Sequence, residues 1–140
     1  MPYFKKNIEK SARKIFWLFF RSKLYLRKMN NDFSDDVVGV EVLMNYNGSK
    51  KLTLYLEKST IKSIVHKIVD GDDAMPRDNI VYDVIGEMAS MIAGNAFSDN
   101  CKNIDISLPK KSNYHNSPNG STLMFTSEFG KFNISLEEVC

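Results

Sequence analysis

The sequence is poor in the features that mark several large classes of protein. It contains only two cysteines, Cys101 and Cys140, which is too few for a disulfide framework, so free thiols in a cytoplasmic protein are expected. The apolar run over residues 15–20 is six residues long, whereas a helix needs about 20 to cross a bilayer. We therefore expect no membrane insertion, no signal peptide and a location in the cytoplasm.

Signs of a self-sufficient active site are also missing. The chain has no glycine-rich phosphate loop, no Cys-x-x-Cys pair and no Gly-x-Ser-x-Gly turn. Its two histidines, His66 and His115, are far apart and belong to no cluster with metal-ligand spacing. Basic and aromatic residues do not alternate as they do in RNA-binding sheets. These absences predict no cofactor of its own and no nucleic-acid partner.

Charge is balanced over the whole chain but uneven along it. The net charge is +2, yet the first 28 residues contain nine basic side chains, namely Lys5, Lys6, Lys10, Arg13, Lys14, Arg21, Lys23, Arg27 and Lys28. Residues 3–20 have helical periodicity, with one apolar side formed by Ile8, Ala12, Ile15, Phe16 and Phe19. This helix either lies on a membrane surface or a partner, or packs on a sheet with its lysines in solvent. A domain of this size needs helices to cover its sheet, which favours packing.

The length of 140 residues predicts one domain, with an N-terminal basic helix and first strand in residues 1–30 and a core in residues 35–139. Period-2 alternation predicts strands over residues 22–28, 37–46, 51–57, 104–108, 123–127 and 131–136. Asn47-Gly48 predicts a hairpin between the second and third of these strands. Besides residues 3–20, helices are predicted from Ser59 or Thr60, as the cap, to Val69, and over residues 79–98 with Asp78 as the cap. Pro109 is predicted to stop a strand, and residues 110–121 to form a polar loop. The pattern indicates an α+β fold with a mainly antiparallel sheet covered by two or three helices.

The helix over residues 79–98 carries the most informative pattern. Asp83, Glu87, Ser90 and Gly94 fall at i, i+4, i+7 and i+11, which places them on one narrow stripe. The opposite side is apolar and is formed by Val81, Val84, Ile85, Met88 and Ile92. Gly86 and Gly94 weaken a helix, so close approach of another backbone is the expected reason for them. By itself, such a polar stripe is more often a solvated helix face than a site.

The same stretch resembles the signature helix of the chemotaxis phosphatase family, the CheC, CheX and FliY proteins, and most of all the single-domain CheX type. The family pattern is an acidic or hydroxyl residue, then Glu, then Asn, then a Gly-Asn pair one turn later. Asp83, Glu87 and Gly94-Asn95 stand in register, whereas Ser90 occupies the place of the signature Asn. Residues 106–109, Ile-Ser-Leu-Pro, add to the resemblance, which covers about residues 35–136. The signature occurs once, as in CheX-type proteins.

The resemblance implies a function and a site. Family members hydrolyse the aspartyl-phosphate on a response-regulator receiver domain, which supplies the magnesium ion and the phosphoryl group. Glu87 would then pair with the active-site lysine of the receiver, and Ser90 would orient the attacking water. Asp83 and Gly94 would belong to the binding surface. For Asn95, a structural hydrogen bond to a neighbouring loop is expected.

The serine leaves two outcomes open. A hydroxyl is shorter than an amide and has fewer hydrogen-bonding groups, so hydrolysis is expected to be weakened. Alternatively, the chain binds a phosphorylated receiver without hydrolysing it, as a scaffolding module for which a dimer paired through sheet edges is one form.

Overall fold

The computed structural model describes residues 2–27, 33, 36–45, 48–68, 77–97, 105–113 and 121–139. Over these residues the chain forms three helices and seven strands. The helices are α1 (Pro2–Phe20), α2 (Lys58–Ile68) and α3 (Asp78–Phe97). The strands are β1 (Tyr25–Leu26), β2 (Val37–Asn45), β3 (Ser49–Glu57), β4 (Asp105–Ile106), β5 (Lys110–Ser112), β6 (Ser121–Ser127) and β7 (Gly130–Glu138).

The strands form one sheet in the order β1-β6-β7-β3-β2-β4, with β5 also paired to β2. Every described strand pair is antiparallel. The predicted α+β class, with a mainly antiparallel sheet covered by two or three helices, is therefore confirmed, and the described helices number three.

Alternation along the strands determines which side chains face the helices. In β3, Leu52, Leu54 and Leu56 are fully buried and belong to the same core cluster as the apolar faces of the helices. The register of β2 and β3 pairs Asn45 with Ser49, which confirms the hairpin. Gly48 has a φ of 100°, a conformation that glycine adopts without a steric penalty.

The N-terminal helix packs against the body of the protein, as the packing interpretation predicted. The Phe16 ring stacks on Phe132 of β7 at 4.8 Å between centroids. The buried hydroxyl of Ser11 donates a hydrogen bond of 2.7 Å to the carbonyl of Ile92 in α3, so the two helices are in direct contact. The prediction that Phe19 is a core residue is wrong, because its side chain is 58% exposed.

Three element boundaries differ from the predictions. The first strand is only two residues long, and Leu26 is exposed. Helix α2 follows β3 without a linker and begins at Lys58, so neither predicted cap residue precedes it. Thr60 instead donates a hydrogen bond of 3.1 Å to the carbonyl of Lys131. In α3, the amide of Val81 bonds to the carbonyl of Arg77, so the helix starts one residue earlier than predicted.

The edge of the sheet next to α3 contains a bulge. Met44 pairs with Ile106, whereas Glu41 pairs with Lys110, so the two residues of β2 between these pairs face three residues of the edge, and one edge residue is extra. Such an insertion bends the edge strand and turns side chains outward. Residues 110–112 are therefore a strand, and the prediction that they begin a polar loop is wrong. Pro109 interrupts the edge without ending it, because an edge strand tolerates a residue that lacks an amide hydrogen.

Several sequence predictions fall outside the described residues. They concern both cysteines, His115, Asn47, the end of the second helix at Val69 and residues 114–120 of the predicted polar loop.

Candidate functional site: a polar stripe beside an apolar groove

Helix α3 holds the predicted stripe in place through its buried side. The residues that face the core are Val81, Ile85, Met88 and Ile92, together with Ala89, Ala93, Ala96 and Phe97. On the other side, Asp83 and Glu87 are exposed, and Ser90 and Gly94 are half-buried. The structure therefore brings all four predicted site residues to one face of a well-anchored helix. Of the five residues predicted for the apolar side, Val84 is half-buried and the other four are buried.

The polar groups of the stripe are not used by contacts within the described part of the chain. The ion pairs in this part of the chain involve other residues, so neither the Asp83 nor the Glu87 carboxylate has a cationic partner among the described residues. The Ser90 hydroxyl likewise forms no hydrogen bond to a described residue, although a serine inside a helix often bonds back to the preceding turn. These three groups are consequently free to meet a ligand or a partner.

One flank of the stripe is formed by the bulged edge of the sheet. A Cβ built on Gly86 would lie 2.9 Å from both Cβ and Cγ of Pro109, so the proline ring presses directly on the helix. Two residues further on, the Lys111 ammonium lies 4.5 Å from the centroid of the Tyr82 ring, a cation–π distance. Immediately before Pro109, the bulge turns Leu108 outward, and its side chain is 84% exposed.

The sequence predicted that another part of the backbone approaches Gly86 and Gly94 closely, and this expectation is met in part. Close approach explains Gly86, although the neighbour is a proline ring rather than a backbone. At Gly94, an added Cβ would meet only the Ile106 Cδ1 atom, at 3.6 Å, which is ordinary contact. Asn95 is half-buried and takes part in a polar contact within the chain; its predicted hydrogen bond to a loop stays a prediction.

The other flank is an apolar groove of about 400 Å³ between α1, the end of α2 and α3. We call it the α1/α3 groove. It is lined by Ile15, Phe19, Phe20, Ile68, Val84, Met88 and Met91, with Asp83 and Glu87 of the stripe at one side. Ile15, Phe20 and Met88 are buried, whereas Phe19 and Ile68 are exposed. The groove and the stripe therefore form one continuous surface.

This arrangement is suited to docking of a partner and to positioning of its groups. In the described residues no three His, Cys, Asp or Glu side chains come together as a metal site would require. The stripe offers two carboxylates and a hydroxyl, which can pair with a cation and hold a water molecule. Sequence reasoning missed the α1/α3 groove and Leu108. Periodicity assigned Phe19 to the core. The one sequence signal for exposure was its position next to the end of the predicted helix.

No helix in the described part of the chain is both long enough and apolar enough to span a membrane.

Comparison with known proteins gives consistent findings. The family model described as chemotaxis phosphatase CheX matches residues 40–118, which is more than half of the chain and includes the whole stripe. No curated protein matches the sequence significantly.

Solved structures with the same fold carry similar names. The chain is similar to the chemotaxis protein CheX from Vibrio vulnificus, with a TM-score of 0.75 at 16% identity over 95% of this chain and 94% of that one. It is also similar to a chemotaxis protein CheX from Desulfovibrio desulfuricans, with a TM-score of 0.72 at 17% identity over 97% and 99% of the two chains. A third similar structure is the CheX-CheY-BeF3-Mg complex from Borrelia burgdorferi, with a TM-score of 0.64 at 16% identity over 96% and 98%.

Proposed function

Because the chain belongs to the chemotaxis phosphatase CheX family, we propose that it binds a phosphorylated CheY-like receiver domain through α3 and hydrolyses the aspartyl-phosphate. The observation that carries the proposal is the stripe itself. Glu87 is exposed and has no ionic partner among the described residues, and the Ser90 hydroxyl lies three residues later on the same helix face.

Each residue has a definite part in the proposed reaction. Glu87 forms an ion pair with the active-site lysine of the receiver and so fixes the orientation of α3 over the phosphoryl group. Asp83, one turn earlier, adds negative charge to the same contact, and Gly94 leaves room at the far end of the stripe. No group on this chain becomes covalently attached to the substrate, so its contribution is placement of charge and water.

The chemical step is an in-line attack by water. The water oxygen forms a bond to phosphorus while the bond from phosphorus to the aspartate oxygen breaks. The products are inorganic phosphate and the free carboxylate of the receiver, and the proton of the water leaves to solvent. The magnesium ion in this scheme is expected on the receiver. The Ser90 hydroxyl forms one hydrogen bond with the water, as donor or acceptor, and thereby restrains the position of the water molecule.

Ser90 also sets a limit on the rate. The hydroxyl is shorter than the amide arm of asparagine, so a water held in the same pose lies about 1 Å or more beyond its reach, and an error of about 1 Å can cost on the order of a hundredfold in rate. Activity is therefore expected to be slow, and Ser90→Asn is expected to raise it. Asn is only a few tenths of a kcal/mol worse than Ser in a helix interior, so the variant should fold.

The test is phosphate release from a purified phosphorylated receiver, with and without the protein, at concentrations that saturate binding. Acceleration of the decay, and its loss in Glu87→Ala, would support the proposal. A decay rate that does not change at saturation would remove the enzymatic claim.

A second candidate function is binding without hydrolysis, and the serine at position 90 is the observation that favours it. Asn95, the nearest amide residue along α3, is half-buried and already has a contact within the chain, and Ser90 holds the place of the signature amide. A scaffold of this kind would bind the phosphorylated receiver preferentially while hydrolysis stays at background.

Pairing with a second copy through a sheet edge is a further part of this candidate. Strand β1 pairs only with residues 125 and 126 of β6, so residues 121–123 of β6 have no second strand neighbour in the described part of the chain. Free edge positions of this kind accept another strand. Light scattering across a range of concentrations distinguishes a dimer from a monomer.

A further inference from the structure

The α1/α3 groove has properties that the polar stripe does not account for. Phe19 follows Ile15 by one helical turn and so lies on the side of α1 that faces the core, yet its side chain is 58% exposed. Ile68, the last residue of α2, is 51% exposed on the same groove. A partner that covers these two large apolar side chains would bind favourably, because it removes apolar surface from water. Met88 and Met91 complete the lining with flexible, polarisable side chains that adapt to different shapes.

The charges beside the groove restrict what covers it. Asp83 and Glu87 both line it, and neither has an ionic partner in the described residues. A purely apolar occupant would bury or crowd these carboxylates without compensation, which is costly. The occupant must therefore bring an apolar side chain and place a cation close to it.

We propose that the occupant is an apolar side chain of the receiver domain itself, located on the receiver surface beside the lysine that pairs with Glu87. This inference rests on the proposed function. One docking event then fills the groove and neutralises the carboxylate together, because both belong to one continuous surface. Phe19 and Ile68 become residues that determine affinity and the choice of receiver, although they touch no reacting atom. Receivers with a polar residue at that place would bind more weakly.

The separation between affinity and rate follows from this geometry. Phe19 and Ile68 lie on α1 and α2, whereas Ser90, which is proposed to hold the water, lies on α3. Removal of either apolar side chain weakens the complex, but the complexes that still form keep the water in place. The concentration at half-saturation should rise while the hydrolysis rate at saturation stays the same.

The experiment measures binding of a purified receiver, loaded with beryllofluoride and magnesium as a stable mimic of the phosphorylated state, to Phe19→Ala and Ile68→Ala. Leu18→Ala is the matched control, since Leu18 is adjacent on α1, 53% exposed and not part of the groove. We expect Kd to rise about tenfold for each groove variant, the equivalent of about 1.4 kcal/mol, and less than about twofold for the control. Thermal unfolding of all three variants verifies that they are folded.

The outcomes distinguish a failure of this inference from a failure of the proposed function. If Glu87→Ala weakens receiver binding while Phe19→Ala and Ile68→Ala do not, the groove is not a docking site and the proposed function stands. An equal loss in Leu18→Ala would mean a non-specific apolar effect and would also overturn the inference. If the unmodified protein binds no receiver in either state, the inference and the proposed function both fail.

Discussion

The contact between Gly86 and Pro109 allows a sharp test of how the site is built. Replacement of an interior helix glycine by alanine normally stabilises a helix by about 1 kcal/mol. At Gly86, however, the new Cβ would lie 2.9 Å from two carbons of Pro109, whereas carbon atoms pack at about 3.5–4.0 Å. The ring cannot adapt by rotation, and the strands on both sides of it are paired to β2. Overpacking of this kind costs about 1–3 kcal/mol.

The net expectation is that Gly86→Ala lowers the free energy of unfolding by about 1 kcal/mol, the difference between an overpacking cost of about 2 and a propensity gain of about 1. Gly94→Ala is the matched control on the same helix, because its Cβ would meet Ile106 at 3.6 Å without a clash. That variant should gain up to about 1 kcal/mol. Urea denaturation of both variants measures the difference, which we expect to be about 2 kcal/mol.

The two variants also test how this flank is positioned. Gly86→Ala should push the bulge with Leu108 away from the stripe, whereas Gly94→Ala should leave the bulge in place. If Gly86→Ala were as stabilising as Gly94→Ala, Pro109 would not press on α3, and our account of how this flank is positioned would be refuted.

Two further substitutions test the fold that supports the site. Gly130→Ala should lower the free energy of unfolding by more than about 2 kcal/mol, because Gly130 has a φ of 134° and an added Cβ would meet the Thr60 hydroxyl; a thermal melt within a degree or two of the unmodified protein would contradict this. Arg27→Ala should cost about 1–3 kcal/mol, because the guanidinium donates hydrogen bonds to the carbonyl of Phe125 and the side chain of Asn133. Arg27→Lys should not restore the loss, since an ammonium lacks the planar fork, and full recovery by lysine in chemical denaturation would exclude this explanation.

The elements that could be predicted are those with a strong period. Leu52, Leu54 and Leu56 identify β3, and the spacing of Asp83 and Glu87 identifies the exposed face of α3. Both signals arise because the apolar side chains of each element lie on one side, which the order of residues records directly. The stripe was therefore accessible from the sequence together with the resemblance.

What the sequence did not reveal depends on neighbours that are distant along the chain. Pro109 was interpreted as a strand end, because only the pairing of both flanking segments with β2 shows that it sits in a bulge. Phe19 has the spacing of a core residue, but nothing in the sequence shows that its side chain is 58% exposed beside Ile68. Gly86 signalled a close approach, whereas the identity of the approaching ring follows only from the three-dimensional structure.

The most direct test of the central claim compares phosphate release from a phosphorylated receiver for the unmodified protein, Glu87→Ala and Ser90→Asn. Loss of the ion pair in Glu87→Ala should weaken receiver binding by about 2 kcal/mol, and the longer amide in Ser90→Asn should raise the hydrolysis rate at saturation while the affinity changes little. If Ser90→Asn folds, binds as before and hydrolyses no faster, then Ser90 does not occupy the place of the water-orienting residue, and the assignment of this site is contradicted.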